Sequence, residues 1–156
     1  IQSRAINQLL RAHDVLAKRA GELAFEQVSG MLKGFIDLTL RYQGKYYVVD
    51  YKSNYLGDRV EDYTQDAMEN AMIDHRYDFQ YVIYTLALHR LLKLRLADYS
   101  YERDIGGVFY LFLRGMQAPD AKESMSVENQ QANGVFYTKP EKALIEALDN
   151  LFEEGI

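Results

Sequence analysis

The spacing of apolar and polar positions along the chain predicts alternating helices and strands. Apolar residues recur at helix spacing in residues 2–20 and in residues 63–97, where a break near residues 75–78 divides two helices. Runs rich in β-branched, aromatic and aliphatic residues predict strands at 23–28, 31–42, 45–53, 108–113 and 135–138. A last amphipathic helix is predicted from Lys139-Pro140 to about Phe152, because proline is favoured near the first helical position.

The order of these elements indicates one domain. One helix, three strands, two helices, two strands and a final helix follow one another, with a turn-rich stretch at 54–62 and a polar surface loop at 115–133. Neither an internal repeat nor a domain linker interrupts the order. The chain is therefore predicted to be α/β or α+β, with residues 1–156 in one domain.

The strands on either side of Gln43-Gly44 form the most distinctive local pattern. A two-residue loop ending in glycine suits a β-hairpin, because glycine tolerates positive φ. Tyr42 then pairs with Lys45, and Asp37 faces Asp50 across the two strands. A symmetric four-residue loop gives the same pairing.

Two aspartates that face each other in apolar strands need an explanation. Like charges directly opposed across a strand pair are destabilising, and aspartate is a poor strand former. A divalent cation shared by Asp37 and Asp50 would remove the conflict. Two carboxylates with a backbone carbonyl and water form a hard oxygen site of the kind that suits magnesium.

Lys52 adds a cation to the same place, because residues two apart on a strand project from the same face. Its ammonium could orient water and stabilise charge growing on a phosphate. A bound metal would polarise the phosphate and activate the attacking water. A lone Asp-x-Lys more often marks a solvated strand face. The facing Asp37, after Gly34-Phe35-Ile36, favours a metal-dependent nuclease site instead.

Composition narrows the function further. The 156 residues are 48% apolar and 26% charged, which is ordinary for a globular domain, and they contain no cysteine for disulfides, thiolate metal sites or nucleophiles. No apolar run is long enough to span a membrane, and the N-terminus lacks the basic and apolar segments of a signal peptide, so we expect a cytoplasmic location. Because the chain also does not begin with Met, we expect it to be an excised or processed piece of a longer protein. The net charge of −5 is the wrong sign for a free-standing DNA binder. Another component would deliver the strand, or metal ions and a local basic patch would offset the repulsion.

A longer set of motifs resembles a known family. The chain is similar to the RecB family of nuclease domains, of the PD-(D/E)xK superfamily, in the segments 30–38, 49–54, 63–65, 75–78, 80–90 and 106–115. The resemblance covers most of the chain from about Leu23 onward. It implies a restriction-endonuclease-like α/β fold with a central mixed sheet flanked by helices.

The resemblance also implies roles for single residues. Asp37, Asp50 and the main-chain carbonyl of Tyr51 would bind Mg²⁺, with Ca²⁺ or Mn²⁺ able to substitute, and Lys52 would be the catalytic lysine. Gln80 and Tyr84 match a Gln-x-x-x-Tyr motif on one helix face, where they could contact DNA or brace the site. A half-buried core tyrosine is an equally good interpretation of Tyr84.

One departure concerns a metal-binding histidine that RecB-like nucleases carry well upstream of the first aspartate. His13 lies only 24 residues before Asp37, and its surroundings do not match that motif. We interpret it as an ordinary surface or half-buried histidine. No phosphate-binding loop or other helicase motif occurs either. The chain is therefore expected to be a fragment of a larger helicase–nuclease subunit, incomplete in its metal ligands.

A few other residues have two interpretations. Five tyrosines cluster near the hairpin and could stack on unpaired bases, although covering the sheet faces is the simpler role; they are Tyr42, Tyr46, Tyr47, Tyr51 and Tyr55. His75 and Arg76 at the helix break could reach phosphate. Glu61, Asp62 and Asp66 are interpreted as solvated residues at a helix start.

Three hypotheses remain at this point. The first is a magnesium-dependent exodeoxyribonuclease of the exonuclease V type, acting on single DNA strands delivered by a helicase in complex with RecC and RecD subunits. The second is a docking module for the RecA recombinase that is itself catalytically incomplete. The third is a related resolvase or restriction-type enzyme, which the Gln-x-x-x-Tyr motif disfavours.

Overall fold

A four-stranded mixed sheet lies at the centre of the computed structural model, which describes residues 3–116 and 132–154. The strands are β1 (Leu38–Tyr42), β2 (Lys45–Lys52), β3 (Ile105–Phe112) and β4 (Val135–Thr138), in the order β1-β2-β3-β4. β2 and β3 are parallel, and the two outer pairs are antiparallel. The predicted central mixed sheet of an α/β fold is confirmed.

Seven α-helices surround this sheet in the described residues: α1 (Ser3–His13), α2 (Val15–Arg19), α3 (Phe25–Met31), α4 (Gln65–Asp74), α5 (Tyr77–Arg95), α6 (Tyr101–Asp104) and α7 (Lys142–Glu154). Two 3-10 turns span Val60–Tyr63 and Leu113–Gly115. Because parallel strands need a crossover connection, α4 and α5 lie between β2 and β3 in sequence. No helix of the described residues has the length and apolar character that a membrane crossing requires.

The core lies between the sheet and α5. Val48 of β2 and Val108, Tyr110 and Phe112 of β3 are at most 1% exposed and belong to one hydrophobic cluster with the buried positions of α5. Each such side chain contributes roughly 1.5–3 kcal/mol through its removal from water. Helix α5 contacts both β2 and β3, so its inner face is held against the middle of the sheet.

The hairpin has the predicted register. Tyr42 pairs with Lys45 and Leu38 pairs with Val49, with Gln43 and Gly44 in the turn at φ values of 47° and 80°. Positive φ at both turn residues matches the right-handed twist of the flanking strands. The prediction that Asp37 faces Asp50 continues this register by one residue beyond β1.

One predicted strand, at 23–28, is wrong, and the strand predicted at 31–42 starts too early. Residues 23–28 contribute to helix α3, whose first turn is closed by the Gln27 side chain accepting a hydrogen bond from the Ala24 N–H at 2.9 Å. Glutamine at that position is a helix-start signal that outweighed the short apolar run. Strand β1 begins only at Leu38, because the preceding segment bonds to α5 instead of a neighbouring strand.

The first helix is shorter than predicted. Asp14 interrupts residues 2–20, with its backbone extended and its Oδ1 accepting a hydrogen bond from the Ala17 N–H at 2.8 Å. Asp14 therefore caps α2 instead of continuing α1. The break near residue 75 is confirmed between α4 and α5, where Arg76 adopts a left-handed conformation with φ 56°.

The C-terminal half agrees with prediction in outline. β4 has the predicted bounds, whereas β3 starts three residues early at Ile105, because Gly106 and Gly107 form a bulge inside the strand and do not precede it. A Cβ on Gly106 would lie 2.3 Å from the Tyr47 ring, so only glycine fits there. The last helix starts at Lys142, just after Pro140. Most of the predicted loop 115–133 lies outside the described residues.

Candidate active site

Asp50 and Lys52 lie at the end of β2 and point toward α5. Both side chains share this face with Val48, as the two-residue strand period dictates, and their exposed fractions are 3% and 9%. The Lys52 Nζ lies 2.9 Å from Asp50 Oδ2. The structure thus brings together two of the three residues predicted for the site, in a setting where charged side chains are rare.

The Asp50 Oδ2 atom lacks a hydrogen bond. It is buried, and its close contact with the Lys52 ammonium has the distance of an ion pair without the angles of a hydrogen bond. The Lys52 ammonium balances its charge, but a buried oxygen without a hydrogen bond still costs free energy. A metal cation is one ligand that would supply the missing contact.

Asp37 approaches the same place from the other strand. It is exposed, lies one residue before β1, and its Oδ2 accepts a hydrogen bond from the Tyr51 N–H at 3.0 Å. This bond fixes the carboxylate beside the end of β2. The predicted trio therefore converges, with one carboxylate buried and one facing solvent.

The electrostatics of Asp50 reflect this arrangement. Burial raises the pKa of Asp50 above its ordinary value, the nearby Lys52 lowers it, and the negative charge of Asp37 raises it again. The net upward direction means that the metal-free pocket disfavours the ionised carboxylate. A cation beside the two aspartates would reverse that preference.

Gln80 and Tyr84 connect the lysine to the Asp37 segment through hydrogen bonds. Gln80 Oε1 accepts from the Lys52 Nζ at 3.0 Å, and Gln80 Nε2 donates to the Tyr84 hydroxyl at 3.0 Å. The Tyr84 hydroxyl in turn donates to the Phe35 carbonyl at 2.6 Å. Tyr84 is 4% exposed, and its hydroxyl is hydrogen-bonded to both Gln80 and the Phe35 carbonyl. These contacts suit the interpretation that Gln80 and Tyr84 brace the site, and not that they contact DNA.

Glycine at position 34 makes the approach of Tyr84 feasible. A Cβ built on Gly34 would lie 3.2 Å from the Tyr84 hydroxyl oxygen and 3.2 Å from the Met31 carbonyl oxygen. Burial first, and then the charges of Asp50 and Asp37, raise the pKa of Tyr84 to about 12. Its hydroxyl therefore stays protonated and remains a donor at neutral pH.

Two aromatic residues at this site were missed by the sequence reasoning. The Lys52 Nζ lies 3.8 Å from the centre of the Tyr77 ring and 5.1 Å from that of Tyr110. Tyr110 is paired with Asp50 in the β2–β3 register and donates its hydroxyl to Gln80 Oε1 at 2.9 Å. One signal was available, because Tyr77 precedes Gln80 by three residues and so shares its helix face.

Other predicted candidates have different surroundings. His13 is half-buried and contacts Glu141 Oε2 at 2.8 Å, as expected of an ordinary histidine. The idea that Arg76 reaches phosphate is wrong, because its buried guanidinium makes two bonds to Asp78, at 3.0 and 2.9 Å, and a third to the Gly21 carbonyl. His75 is exposed and stacks on Tyr77, with ring centres 5.2 Å apart.

The hairpin tyrosines divide between the two sheet faces and the solvent. Tyr47 packs on Phe109 with ring centres 5.7 Å apart, and Tyr46 lies beneath the guanidinium of Arg41, which supports the covering role for these two. Tyr42, Tyr51 and Tyr55 are exposed. Glu61 and Asp62 belong to a 3-10 turn and Asp66 to the first turn of α4, where they are favourable near a helix start.

The donor set is suited to a hard divalent cation. Asp37 and Asp50 would supply carboxylate oxygens and Tyr51 a main-chain carbonyl, which are the ligand types that magnesium and calcium prefer. The unpartnered Asp50 Oδ2 is the observation that fits a cation here. In residues 3–116 and 132–154, no cluster of three or more histidine or acidic side chains forms a metal site.

Comparison with known proteins gives a consistent result. The profile of the PD-(D/E)XK nuclease superfamily matches residues 2–155. The chain is 48% identical over 147 residues to "RecBCD enzyme subunit RecB" of Escherichia coli (strain K12), with 94% of this chain and 12% of that protein covered. The protein of that name from Haemophilus influenzae is 49% identical, with 95% of this chain and 11% of the relative covered. One from Mycobacterium tuberculosis (strain H37Rv) is 38% identical, with 96% and 14% covered.

Proposed function

Because this chain belongs to the PD-(D/E)XK nuclease superfamily, we propose that it hydrolyses DNA phosphodiester bonds with a divalent cation, as the nuclease domain of a RecBCD-type enzyme. The matched relatives are named as RecBCD subunits, and the chain spans only 12% and 11% of the length of the first two. The activity and partners of a whole enzyme are therefore part of the proposal.

The observation that carries the proposal is the geometry at the end of β2. A buried carboxylate with an unpartnered oxygen lies beside a buried ammonium, and a second carboxylate is held next to them by a main-chain hydrogen bond. A merely structural ion pair would not need Asp37. Nor would it need a glutamine, two tyrosines and a glycine arranged around the lysine.

Each residue has a role in this scheme. Asp37, Asp50 and the Tyr51 carbonyl would hold Mg²⁺, with Ca²⁺ or Mn²⁺ able to take its place. The bound ion would supply Lewis-acid activation of the phosphate and of the attacking water. Lys52 would place its ammonium against the phosphate oxygens, where negative charge grows during the reaction. Gln80 and Tyr84 are positioning residues, since they touch Lys52 and the Asp37 segment.

The enzyme class and partners extend the proposal. The enzyme would be an exodeoxyribonuclease that acts in the cytoplasm beside RecC and RecD subunits. A helicase would deliver the single strand to it, which agrees with the net charge of −5 on this chain. A further side-chain metal ligand, such as a histidine, would come from another part of a longer protein. No feature of the described residues favours the RecA-docking hypothesis over this one.

The test is cleavage of single-stranded DNA in a magnesium titration. We expect Asp50→Asn and Lys52→Met to lower the cleavage rate at least about 100-fold, the scale for removing a group that acts only in the transition state. Asp66→Asn, which neutralises an exposed carboxylate in α4, is the matched control. Calorimetric Mg²⁺ binding that is lost in Asp50→Asn and kept in the control checks the ligand role independently of cleavage. Undiminished cleavage by either site variant contradicts the assignment.

A further inference from the structure

We propose that the open groove between β1 and α5 holds a single DNA strand, and that Arg41 and Arg95 bind one of its phosphates at the far end. The proposal rests on the function proposed above and adds to it a binding site outside the metal-binding end of the hairpin. The β1–α5 groove is defined by Asp37, Thr39 and Arg41 of the first hairpin arm, and by Ala87, Leu91 and Arg95 of α5.

The hairpin side of the groove follows from strand geometry. Asp37, Thr39 and Arg41 alternate with Leu38, Leu40 and Tyr42, so they project toward the face that carries α5. All five residues of β1 are exposed, although a helix lies across the neighbouring strands. The helix therefore does not close over this edge of the sheet, and a channel is left beside it.

The helix side of the groove has matching spacing. Tyr84, Ala87, Leu91 and Arg95 are separated by three, four and four residues, which places them on one face of α5. Ala87 is exposed and Leu91 is 48% exposed, which is unusual in a helix whose other positions are mostly buried. From Ala87 to Arg95 this face therefore borders open space, whereas Tyr84 at its start is buried in the core.

Two contacts fix the alignment of the walls. The Tyr84 hydroxyl donates to the Phe35 carbonyl near the metal-binding end, and Arg41 and Arg95 line one cavity at the other end. From Tyr84 to Arg95 the helix rises roughly 16 Å. From Phe35 to Arg41 an extended chain spans at most about 20 Å. The two lengths agree, so α5 and β1 run alongside each other in the same direction.

The far end is a cavity of about 360 Å³ with an excess of cations. It is lined by three arginines, Arg41, Arg95 and Arg103, and by Asp98 and Asp104. Arg103 is neutralised by an ion pair with Asp104 at 2.9 Å, whereas Arg41 and Arg95 form no ion pair among the described residues. The Arg41 guanidinium lies 5.6 Å from the centre of the Tyr46 ring, which holds it at the cavity wall.

The charge distribution along the groove favours a nucleic acid strand. Two guanidinium groups are available for phosphate at one end, and guanidinium binds phosphate through paired hydrogen bonds. At the other end, the cation site and Lys52 offer positive charge to a second phosphate of the same strand. Between them, Leu91 and Ala87 give an uncharged wall that tolerates bases. This local basic patch offsets the overall acidity of the chain.

Binding of fluorescent single-stranded oligothymidylate by the whole 156-residue chain tests the groove. Anisotropy is measured in Ca²⁺ and in EDTA over a salt series, so that cleavage is not needed. We expect the Arg41→Ala/Arg95→Ala variant to bind at least about tenfold more weakly. Its slope of log K against log salt should become shallower by about 0.7 for each phosphate that the protein no longer neutralises. Arg4→Ala/Arg11→Ala, which removes two exposed arginines of α1, is the charge-matched control and should leave both values unchanged.

Two results of these measurements would count against the role given to Arg41 and Arg95. Unchanged affinity and slope in the double variant overturn the proposal. An equal decrease in Arg4→Ala/Arg11→Ala also overturns it, because the effect would then be one of net charge. Hydrolysis of bis(4-nitrophenyl) phosphate, which is too short to reach the cavity, should be equal in wild type and double variant. If neither hydrolyses it in Mg²⁺, this chain needs the further metal ligand of a longer protein for cleavage, while the binding data still decide the groove.

Discussion

The ammonium of Lys52 rests on the ring of Tyr77, with 3.8 Å between the nitrogen and the ring centre. Tyr77 also stacks with His75 and with Tyr110, whose ring centres lie 5.2 and 5.8 Å away. A cation over an aromatic face is attracted by the ring quadrupole, and more strongly when water is excluded. Tyr77 is therefore a positioning residue that restricts where the buried lysine can point.

This arrangement predicts different effects for two substitutions at position 77. Tyr77→Phe keeps the ring, so cleavage should stay close to wild type. Tyr77→Leu removes about 0.5–2 kcal/mol of attraction and should lower kcat by up to about 30-fold. Steady-state kinetics on single-stranded DNA separate kcat from KM. An effect confined to KM, or an equal decrease of kcat in Tyr77→Phe, contradicts positioning through the ring.

Tyr84 predicts an effect on the segment that carries Asp37. Tyr84→Phe leaves the Phe35 carbonyl without its donor, at a cost of about 1–3 kcal/mol. We expect faster hydrogen exchange of the Tyr51 N–H, since Asp37 accepts its hydrogen bond. The matched control is Tyr55→Phe, which removes only an exposed bond to Asp58 and should not change exchange at Tyr51. Unaltered exchange in Tyr84→Phe would show that the segment is held by other contacts.

The raised pKa of Asp50 predicts a conflict between stability and metal binding. A carboxyl whose pKa is higher in the folded state stabilises the fold while it is protonated, and that contribution is lost as the pH rises through the folded pKa. Asp50→Asn should therefore raise Tm in EDTA at pH 7. This gain in Tm should disappear as the pH falls to roughly 4, which is the pKa of an aspartate in an unfolded chain.

The same Tm measurement is then repeated with added Mg²⁺. A ligand that binds only the folded state raises Tm, so magnesium should stabilise the wild type and leave Asp50→Asn unchanged. Asp66→Asn should respond to the ion as the wild type does. A variant that magnesium still stabilises contradicts the role given to Asp50, whereas a variant less stable than wild type in EDTA would show that the lost ion pair with Lys52 outweighs the relief of burial.

Local rules were sufficient for the hairpin and its two aspartates. The turn residues fix the register, and the two-residue period then decides which side chains meet, so Asp37, Asp50 and Lys52 follow without tertiary information. Gln80 and Tyr84 were identified through the family motif, and their spacing then places them on one helix face. The order of elements indicated only an α/β or α+β class, and the family resemblance supplied the restriction-endonuclease-like fold and the DNA substrate.

The rest of the site depends on contacts between distant parts of the chain. Tyr110 comes under Lys52 only through the parallel pairing of β2 with β3, a crossover that no local pattern encodes. Arg76 was predicted to be able to reach phosphate, but its guanidinium is hydrogen-bonded to Asp78 and to the Gly21 carbonyl. The apolar run at 23–28 gave the wrong element because a short run suits a helix or a strand equally.

The exposed position of Asp37 bears on which ions the site accommodates. Asp50 is fixed in a buried strand, whereas Asp37 lies outside any strand and is held by one hydrogen bond to the Tyr51 N–H. Because one carboxylate is rigid and the other can move, the distance between the two can change without disturbing the core. We expect Mg²⁺ and the larger Ca²⁺ to bind with affinities within about tenfold of each other, because calcium tolerates longer and less regular oxygen contacts. Calorimetric titration of both ions measures this tolerance of ionic radius, and strict rejection of calcium would mean that Asp37 is as rigid as its partner.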